Sequence, residues 1–181
     1  MELPVAFTPQ SPGKKSCTLR ITSDDPDEPV IERSISARTP PWLGVRASRI
    51  DPSGSLDAHH SDGGSLDLVY LQPITARWAW DVQLGLGRFD GLPDIDLTTL
   101  SASARFTFNP MAPVQIFLFG GPEVSDFDPG DLELGLQAGV GLHIPTGRRY
   151  AVELAGGYHD ALTASPDLRH TRLSVGFLVS F

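Results

Sequence analysis

The last fifteen residues alternate between apolar and polar side chains, and this alternation constrains the fold more than any other feature of the chain. One face of the segment carries Leu173, Val175, Phe177, Val179 and Phe181. The other face carries Arg172, Ser174, Gly176 and Ser180, with Leu178 as the one apolar exception. Because successive side chains point to opposite sides of a β-strand, the segment is predicted to be a strand with one apolar and one polar face.

The same alternation recurs upstream and predicts eight strands after residue 41. We place them at 42–50, 65–72, 77–88, 96–108, 114–122, 131–144, 149–159 and 168–181. Short connections at 73–76, 109–113 and 145–147 alternate along the chain with longer ones at 51–64, 89–95, 123–130 and 160–167. Short turns at one end and long loops at the other are typical of outer-membrane barrels. The sequence therefore predicts an all-β fold, an eight-stranded antiparallel up-and-down transmembrane β-barrel.

The apolar face of each strand is predicted to point outward, toward lipid. Aromatic residues lie near the strand ends, where the two membrane interfaces would be: Trp78, Trp80, Phe106, Phe108, Tyr150 and Tyr158. The opposite face mixes small residues with a few charges, which suits an interior only just wide enough for its own side chains. The alternative is a soluble lipocalin-like carrier, in which the apolar face would line a cavity for apolar ligands.

The polar face carries charges of both signs that are predicted to meet inside the barrel. They are Arg46, Asp81, Arg105, Glu133, Glu153 and Arg172. Isolated buried charges are costly, so these groups are expected to pair and hydrogen-bond. We expect a lumenal ion-pair network that plugs the barrel.

Composition excludes several other classes of protein. The chain has 181 residues and a net charge of −8, which disfavours nucleic-acid binding. It has no run of eighteen apolar residues that could form a transmembrane helix. The single cysteine excludes a disulfide within the chain and a cysteine metal cluster. The first residues do not read as a secretory signal, so an export signal is expected upstream.

The first 38 residues form a separate segment, joined to the barrel domain at 42–181 by the linker 39–41. Two strand-like stretches, 16–22 and 29–36, flank a turn signal at 23–28. The phrase Leu19-x-Ile21-x-Ser23-Asp24-Asp25-Pro26 resembles the closing strands of immunoglobulin-like domains of the choice-of-anchor D group (related to the ASPM/SPD-2/Hydin domain). This resemblance implies that 1–38 is the C-terminal remnant of such a domain.

Residues 42–181 resemble the small outer-membrane barrels, namely the OmpA transmembrane domain and the opacity-type surface proteins. The likeness rests on the alternation, the loop rhythm and the stretches 132–142 and 173–181. It implies a bacterial outer-membrane location, contact with the lipid bilayer and lipopolysaccharide, and a structural, membrane-anchoring or surface-adhesion role. It also implies that Leu173, Val175, Phe177, Val179 and Phe181 form the C-terminal insertion signal read by the barrel-assembly machinery.

No cofactor, metal or catalytic site is predicted. The run His59-His60-Ser61-Asp62 and the loop residues Asp90, Asp94, Asp126, Asp128 and Asp131 are interpreted as solvated loops, although acidic loops could bridge divalent ions to lipopolysaccharide. Some eight-stranded barrels modify lipid A with a serine activated by a histidine. The barrel histidines are His143, His159 and His170, and none shares a face with a neighbouring serine in a His-x-Ser pair. A lipid A-modifying enzyme remains the alternative to a non-catalytic barrel.

Overall fold

The computed structural model describes residues 15–22, 27, 30–37, 39–54, 60–91, 94–128, 132–147, 149–163 and 168–181. His59, Asp131 and most of the predicted turn at 23–28 lie outside the described residues. Within the described part of the chain, no helix is both long and apolar enough to cross a bilayer.

The two strands predicted near the N-terminus form an antiparallel pair. Strand β1 spans Lys15–Thr22 and β2 spans Val30–Ala37, with Lys15 opposite Ala37 and Thr22 opposite Val30. The pairing confirms a short β-rich segment ahead of the barrel. A two-stranded sheet of this length has only marginal stability by itself.

Eight further strands close into an antiparallel barrel, which confirms the predicted fold class. They are β3 Trp42–Gly54, β4 His60–Pro73, β5 Trp78–Gly91, β6 Ile95–Thr107, β7 Gln115–Asp128, β8 Leu132–Pro145, β9 Tyr150–Ala161 and β10 Leu168–Ser180. Each strand pairs with its neighbours in sequence, and β10 pairs with β3 to close the cylinder. The closing register runs from Leu168 opposite Gly54 to Ser180 opposite Trp42.

The apolar faces point out of the cylinder, as the alternation predicts. Leu134 and Val175 are 55% and 56% exposed, whereas Arg105 is 2% exposed and lies inside. Leu178, the apolar exception on the polar face of the last strand, is completely buried in the lumen. The interpretation as a lipocalin-like carrier is therefore wrong, because that fold would enclose the apolar face and expose the arginines.

The strands are longer than predicted at the long-loop end of the barrel. Strand β3 continues to Gly54, β4 already begins at His60, and β7 continues to Asp128. Strands of 12–14 residues exceed the roughly 9–11 that a tilted strand needs to cross a bilayer. The extensions of β3 and β4 carry no large apolar side chain on either face, so the alternation of apolar residues gives no signal there.

Short turns close the other end of the barrel and are held by local hydrogen bonds. The backbone N–H of Ile74 donates to the Trp78 carbonyl at 2.9 Å, and that of Thr146 donates to the Tyr150 carbonyl at 2.9 Å. In the third turn, the Asn109 side-chain amide donates to the Val114 carbonyl at 2.9 Å. These contacts satisfy backbone and side-chain groups that would otherwise lack partners at the strand ends.

Candidate functional site

The centre of the lumen holds a dense network of charges built around one carboxylate. Glu153 on β9 accepts hydrogen bonds from Arg46 Nη2 at 2.6 Å and Arg105 Nη1 at 2.5 Å. His143 Nδ1 donates to the same carboxylate at 2.7 Å. Arg46 also donates to Asp81 Oδ2 at 3.0 Å. The two arginines therefore face two carboxylates, so the formal charges of these four groups balance.

Burial of this network makes its geometry important for stability. The side chains of Arg46, Asp81, Arg105 and Glu153 are at most 4% exposed. The Arg105 guanidinium also lies 3.5 Å from the centroid of the Phe117 ring, which offers it a cation–π contact. Buried ion pairs offset their desolvation only when the geometry is good and the remaining groups are hydrogen-bonded. The short distances around Glu153 meet most of that requirement.

A second pair of opposite charges lies further toward the long-loop end. Arg172 Nη1 donates to Asp67 Oδ1 at 3.1 Å, and Ser48 Oγ donates to the other Asp67 oxygen at 3.1 Å. Nearby, the Gln137 side-chain amide donates to Ser103 Oγ at 2.9 Å. These contacts fill the width of the cylinder with hydrogen-bonded polar groups.

Two histidines and a glutamate form a third cluster in the same half of the lumen. His159 Nδ1 donates to Glu123 Oε2 at 2.9 Å, and Ser125 Oγ donates to Glu123 Oε1 at 3.1 Å. The rings of His159 and His170 stack, with centroids 4.6 Å apart and planes inclined by 9°. Both ring nitrogens of His170 are buried and have no hydrogen-bond partner. His143, His159 and His170 thus lie in the lumen, and the first two donate to carboxylates.

Apolar layers flank the polar clusters of the lumen on both sides, and beside the layer at the short-turn end a cavity of about 150 Å³ reaches Arg105 and His143. Toward the long-loop end the buried layer consists of Ile50, Phe89, Leu97, Phe127 and Ala161. Toward the short-turn end it consists of Leu71, Ala151 and Leu178, with Trp42 and Ala79 packed against it. Between the polar clusters lies a cavity of about 10 Å³, which is room for about one water molecule.

Large rings inside so narrow a barrel require glycine on the facing strand. A Cβ atom added to Gly141 would collide with the Phe117 ring, and one added to Gly139 would collide with Phe119. Both glycines lie on β8 directly opposite those phenylalanines on β7. Gly139 and Gly141 therefore make room for these two rings, and the Phe117 ring contacts Arg105.

Of the six charges predicted to share the lumen, five are buried there and one is not. Arg46, Asp81, Arg105 and Glu153 contact one another, and Arg172 pairs instead with Asp67. Glu133 is half-buried near the long-loop end of β8, where its carboxylate accepts a hydrogen bond from Thr163. In the alternation along β8, Glu133 belongs to the inward-facing residues. It lies so close to the long-loop end, however, that it is at the rim of the barrel.

The sequence interpretation missed Asp67 and Glu123 as lumenal charges. Asp67 has the parity of the buried residues Val69 and Leu71, so the alternation within β4 already contained the signal. Glu123 follows Pro122, which was interpreted as the end of a strand. Strand β7 instead continues across Pro122: its ladder with β6 is interrupted there and resumes in the same register at Glu123. Proline removes one ladder hydrogen bond without ending the strand.

The exposed aromatic residues lie mostly at the short-turn end of the barrel. Trp78, Trp80, Phe108, Tyr150 and Phe181 are exposed and Phe106 is half-buried; all lie near that end, and Trp78 and Phe106 have centroids 5.0 Å apart. Tyr158, 42% exposed, is nearer the other end. Of the C-terminal segment, Leu173, Val175, Phe177 and Phe181 are exposed on the outer surface and Val179 is half-buried there. The outer surface thus offers an aromatic belt at one rim and aliphatic side chains above it.

Charged outward residues replace the apolar ones toward the long-loop end. Arg88 donates to Asp96 at 2.6 Å on the outside of β5 and β6, and on β5 it is the next outward residue after the exposed Leu86. Arg49 on β3 forms exposed ion pairs with Asp51 and Asp62. These pairs mark the upper limit of the apolar band.

Known proteins match this chain in structure and not in sequence. No family model matches the chain, and no curated protein matches it. Among solved structures, the Neisserial surface protein A has a TM-score of 0.64 and 18% identity, over 78% of this chain and 97% of its own. The fold is that of a small outer-membrane β-barrel. OprG from Pseudomonas aeruginosa has a TM-score of 0.61 and 12% identity, over 79% and 96% of the two chains.

A third similar structure is Ail, the attachment invasion locus protein of Yersinia pestis. It has a TM-score of 0.52 and 14% identity, over 79% of this chain and 97% of Ail. The matched portion corresponds in size to the barrel at 42–181. At these identities the likeness concerns the fold.

Proposed function

We propose that the protein is a non-catalytic barrel of a bacterial outer membrane that anchors the chain and presents its long-loop end at the cell surface. The observation that carries this proposal is the contrast between the two faces of the cylinder. The outside bears a continuous apolar band with an aromatic rim, and the inside bears paired charges. Such a surface is stable only where lipid covers it.

A structural role is favoured over transport because the lumen is filled. Two apolar layers and three polar clusters cross it, and the cavity between the polar clusters measures about 10 Å³. A hydrated ion needs a continuous water-filled path, which eight-stranded barrels filled by their own side chains do not provide. We expect no ion conduction.

A lipid A-modifying activity is disfavoured by the partners of the lumenal histidines. His143 donates to Glu153 and His159 donates to Glu123, so both rings are held by carboxylates inside the barrel. A serine nucleophile that acts on lipid must meet its histidine at the membrane-facing surface. All three barrel histidines are instead at most 5% exposed.

The surface that would face outside the cell is rich in paired charges, which favours contact with lipopolysaccharide headgroups. The pairs Arg49–Asp62 and Arg88–Asp96 lie just above the apolar band, at the height of those headgroups. Ail has also been solved with the heparin analogue sucrose octasulfate. The net charge of −8 disfavours direct capture of such a polyanion by this chain.

The N-terminal segment would hang on the periplasmic side. Strand β3 starts and β10 ends at the short-turn end, which is the periplasmic end in outer-membrane barrels. The chain therefore leads into β3 from the periplasm. Residues 1–38, the proposed remnant of an immunoglobulin-like domain, and the linker 39–41 would lie on that side. Contact with the barrel-assembly machinery through the last strand would occur on the same side.

The proposal is tested by refolding the chain from denaturant into detergent micelles and into lipid vesicles. We expect vesicle association and faster gel migration of the unheated protein than of the boiled protein. Planar bilayers containing the protein should show no discrete current steps, and the mass of added lipid A should not change. Identical mobility before and after boiling, without vesicle association, would exclude the membrane barrel; conduction or altered lipid A would exclude the non-catalytic role.

A further inference from the structure

The lumen contains more buried carboxylates than buried arginines. Among the described residues, the buried arginines are Arg46, Arg105 and Arg172, and the buried carboxylates are Asp67, Asp81, Glu123 and Glu153. Six of these seven groups pair with each other, and the remaining one is Glu123. Its hydrogen-bond donors are His159 and Ser125. An unbalanced buried charge is costly, so this half of the lumen is suited to one more cation.

The same region contains an imidazole without a hydrogen-bond partner. His170 is 2% exposed, and neither of its ring nitrogens has a partner in the structure. Its neighbours are the stacked ring of His159 and the edge of Phe89, with centroids 5.7 Å apart in the latter contact. Buried polar nitrogens without partners lower the stability of the folded protein. A metal ion is one partner that a neutral imidazole can bind through the lone pair of a ring nitrogen.

We propose that Glu123, His159 and His170 bind a late first-row divalent metal ion, of which Zn²⁺ is the best match. Two imidazoles and one carboxylate are a donor set that Zn²⁺ takes in proteins, with a fourth position left for water. The site needs only residues of the lumen, so it stands whether or not the surface role proposed above is correct.

The distances suit this assignment with one movement. Ligands about 2.0–2.1 Å from a metal are about 2.8–3.4 Å apart when they subtend 90–109°, and at most about 4.2 Å apart. The 2.9 Å from Glu123 Oε2 to His159 Nδ1 already lies in this range. Ligand atoms of all three residues lie within 4.8 Å of one another. The His170 ring must therefore turn out of its stack and move toward the other two by roughly an ångström.

Metal binding has a defined proton balance. The metal takes the place of the hydrogen that His159 Nδ1 shares with Glu123, and the neutral imidazole keeps its one proton by carrying it on Nε2 instead. Ser125 continues to orient the carboxylate through the other oxygen. Arg172 lies two residues from His170 on β10, but its charge is compensated by Asp67 at 3.1 Å. Strands β7, β9 and β10 each contribute one ligand, so the ion would link three strands across the lumen.

The test is metal analysis of the refolded full chain. The protein is refolded in detergent micelles with and without Zn²⁺, freed of loose metal by gel filtration over chelating resin, and analysed for bound zinc. Refolding with the metal avoids dependence on entry through the apolar layer around Phe89. Co²⁺ is used in parallel, because its visible absorption reports a tetrahedral site with nitrogen and oxygen ligands.

We expect one zinc per chain in the starting protein. His170→Phe and Glu123→Gln should each lower the affinity at least about 100-fold, because loss of a ligand should exceed the 10–100-fold effect of outer-shell partners. The double variant H59A/H60A is the matched control and should bind normally, since it removes the only adjacent histidine pair of the sequence. Heat modifiability on gels verifies that each variant folds.

The opposite results would overturn the site. They are absence of zinc from the folded starting protein under both refolding conditions, binding that survives His170→Phe, or binding lost only in H59A/H60A. If the folded protein binds no zinc and ¹⁵N spectra show a doubly protonated His159, then a proton balances Glu123 and the proposal is wrong.

Discussion

Glu153→Gln gives the most direct test of the central lumenal network. The substitution preserves the size of the side chain and removes the charge that accepts from Arg46, Arg105 and His143 at 2.5–2.7 Å. The amide nitrogen of the new side chain then faces an arginine, which can only donate, and Asp81 remains as the one carboxylate beside two arginines. Loss of one partner from a buried ion pair costs about 3–5 kcal/mol. We expect a decrease of that size in the free energy of unfolding.

The measurement is equilibrium urea unfolding of the barrel in lipid vesicles, monitored by the fluorescence of its tryptophans. Glu133→Gln is the matched control, because it makes the same chemical change at the rim of β8, where the carboxylate accepts a hydrogen bond from Thr163. That variant should lose at most about 1 kcal/mol. A loss below about 1 kcal/mol in Glu153→Gln, or equal losses in the two variants, would refute the reasoning that the network stabilises the barrel.

Three further substitutions test the outer face, the packing of the lumen and the last strand. Val82→Arg at the middle of the apolar band should lower the free energy of unfolding in vesicles by about 2–4 kcal/mol, whereas Leu86→Arg near Arg88 should lower it by about 0–1 kcal/mol. Equal losses in the two variants would contradict the placement of the band. Gly141→Ala should cost about 1–3 kcal/mol because its Cβ meets the Phe117 ring, and Gly156→Ala, whose Cβ meets nothing within 4 Å, should be nearly neutral. Phe181→Ala should reduce the amount of barrel assembled in cells while refolding in detergent is unchanged, and Phe108→Ala at the same rim should assemble normally; a defect of both variants, or of neither, would remove the special role of the last residue.

The alternation of side chains was sufficient to predict the number of strands, their order and the direction of each face. Strand periodicity is a local property, and each of the eight segments carries it within its own sequence. The exposed Leu134 and the buried Arg105 follow from parity alone. Short turns and longer connections then fix the up-and-down topology, since antiparallel neighbours can be joined by a few residues.

The alternation of side chains along each strand could not predict which of the inward charges contact one another. Glu133 and Glu153 both have inward parity, yet one lies at the rim and the other at the centre. Their heights depend on the stagger between strands, which is fixed only when β10 closes on β3. Glu123 was missed for a different reason, because Pro122 was interpreted as a stop although the ladder merely skips it.

The two halves of the lumen should respond in opposite ways to the removal of a polar side chain. In the central network Arg46, Asp81, Arg105 and Glu153 each have a partner of opposite charge. Removal of the Glu153 charge therefore leaves an arginine without its partner and destabilises the barrel. In the upper half, His170 has two buried nitrogens without a hydrogen-bond partner, and replacing such groups by an apolar side chain of similar shape removes a cost of about 1–3 kcal/mol. His170→Phe should therefore leave the metal-free barrel as stable as before or more stable, as measured by the same urea unfolding. In protein saturated with zinc the order should reverse, because an ion present at 100 times its Kd stabilises the starting protein by about 2.7 kcal/mol and the variant by almost nothing. If His170→Phe were strongly destabilising without metal, the stack on His159 and the contact with Phe89 would be the reason for a histidine at this position, and the ion would not be needed to explain it.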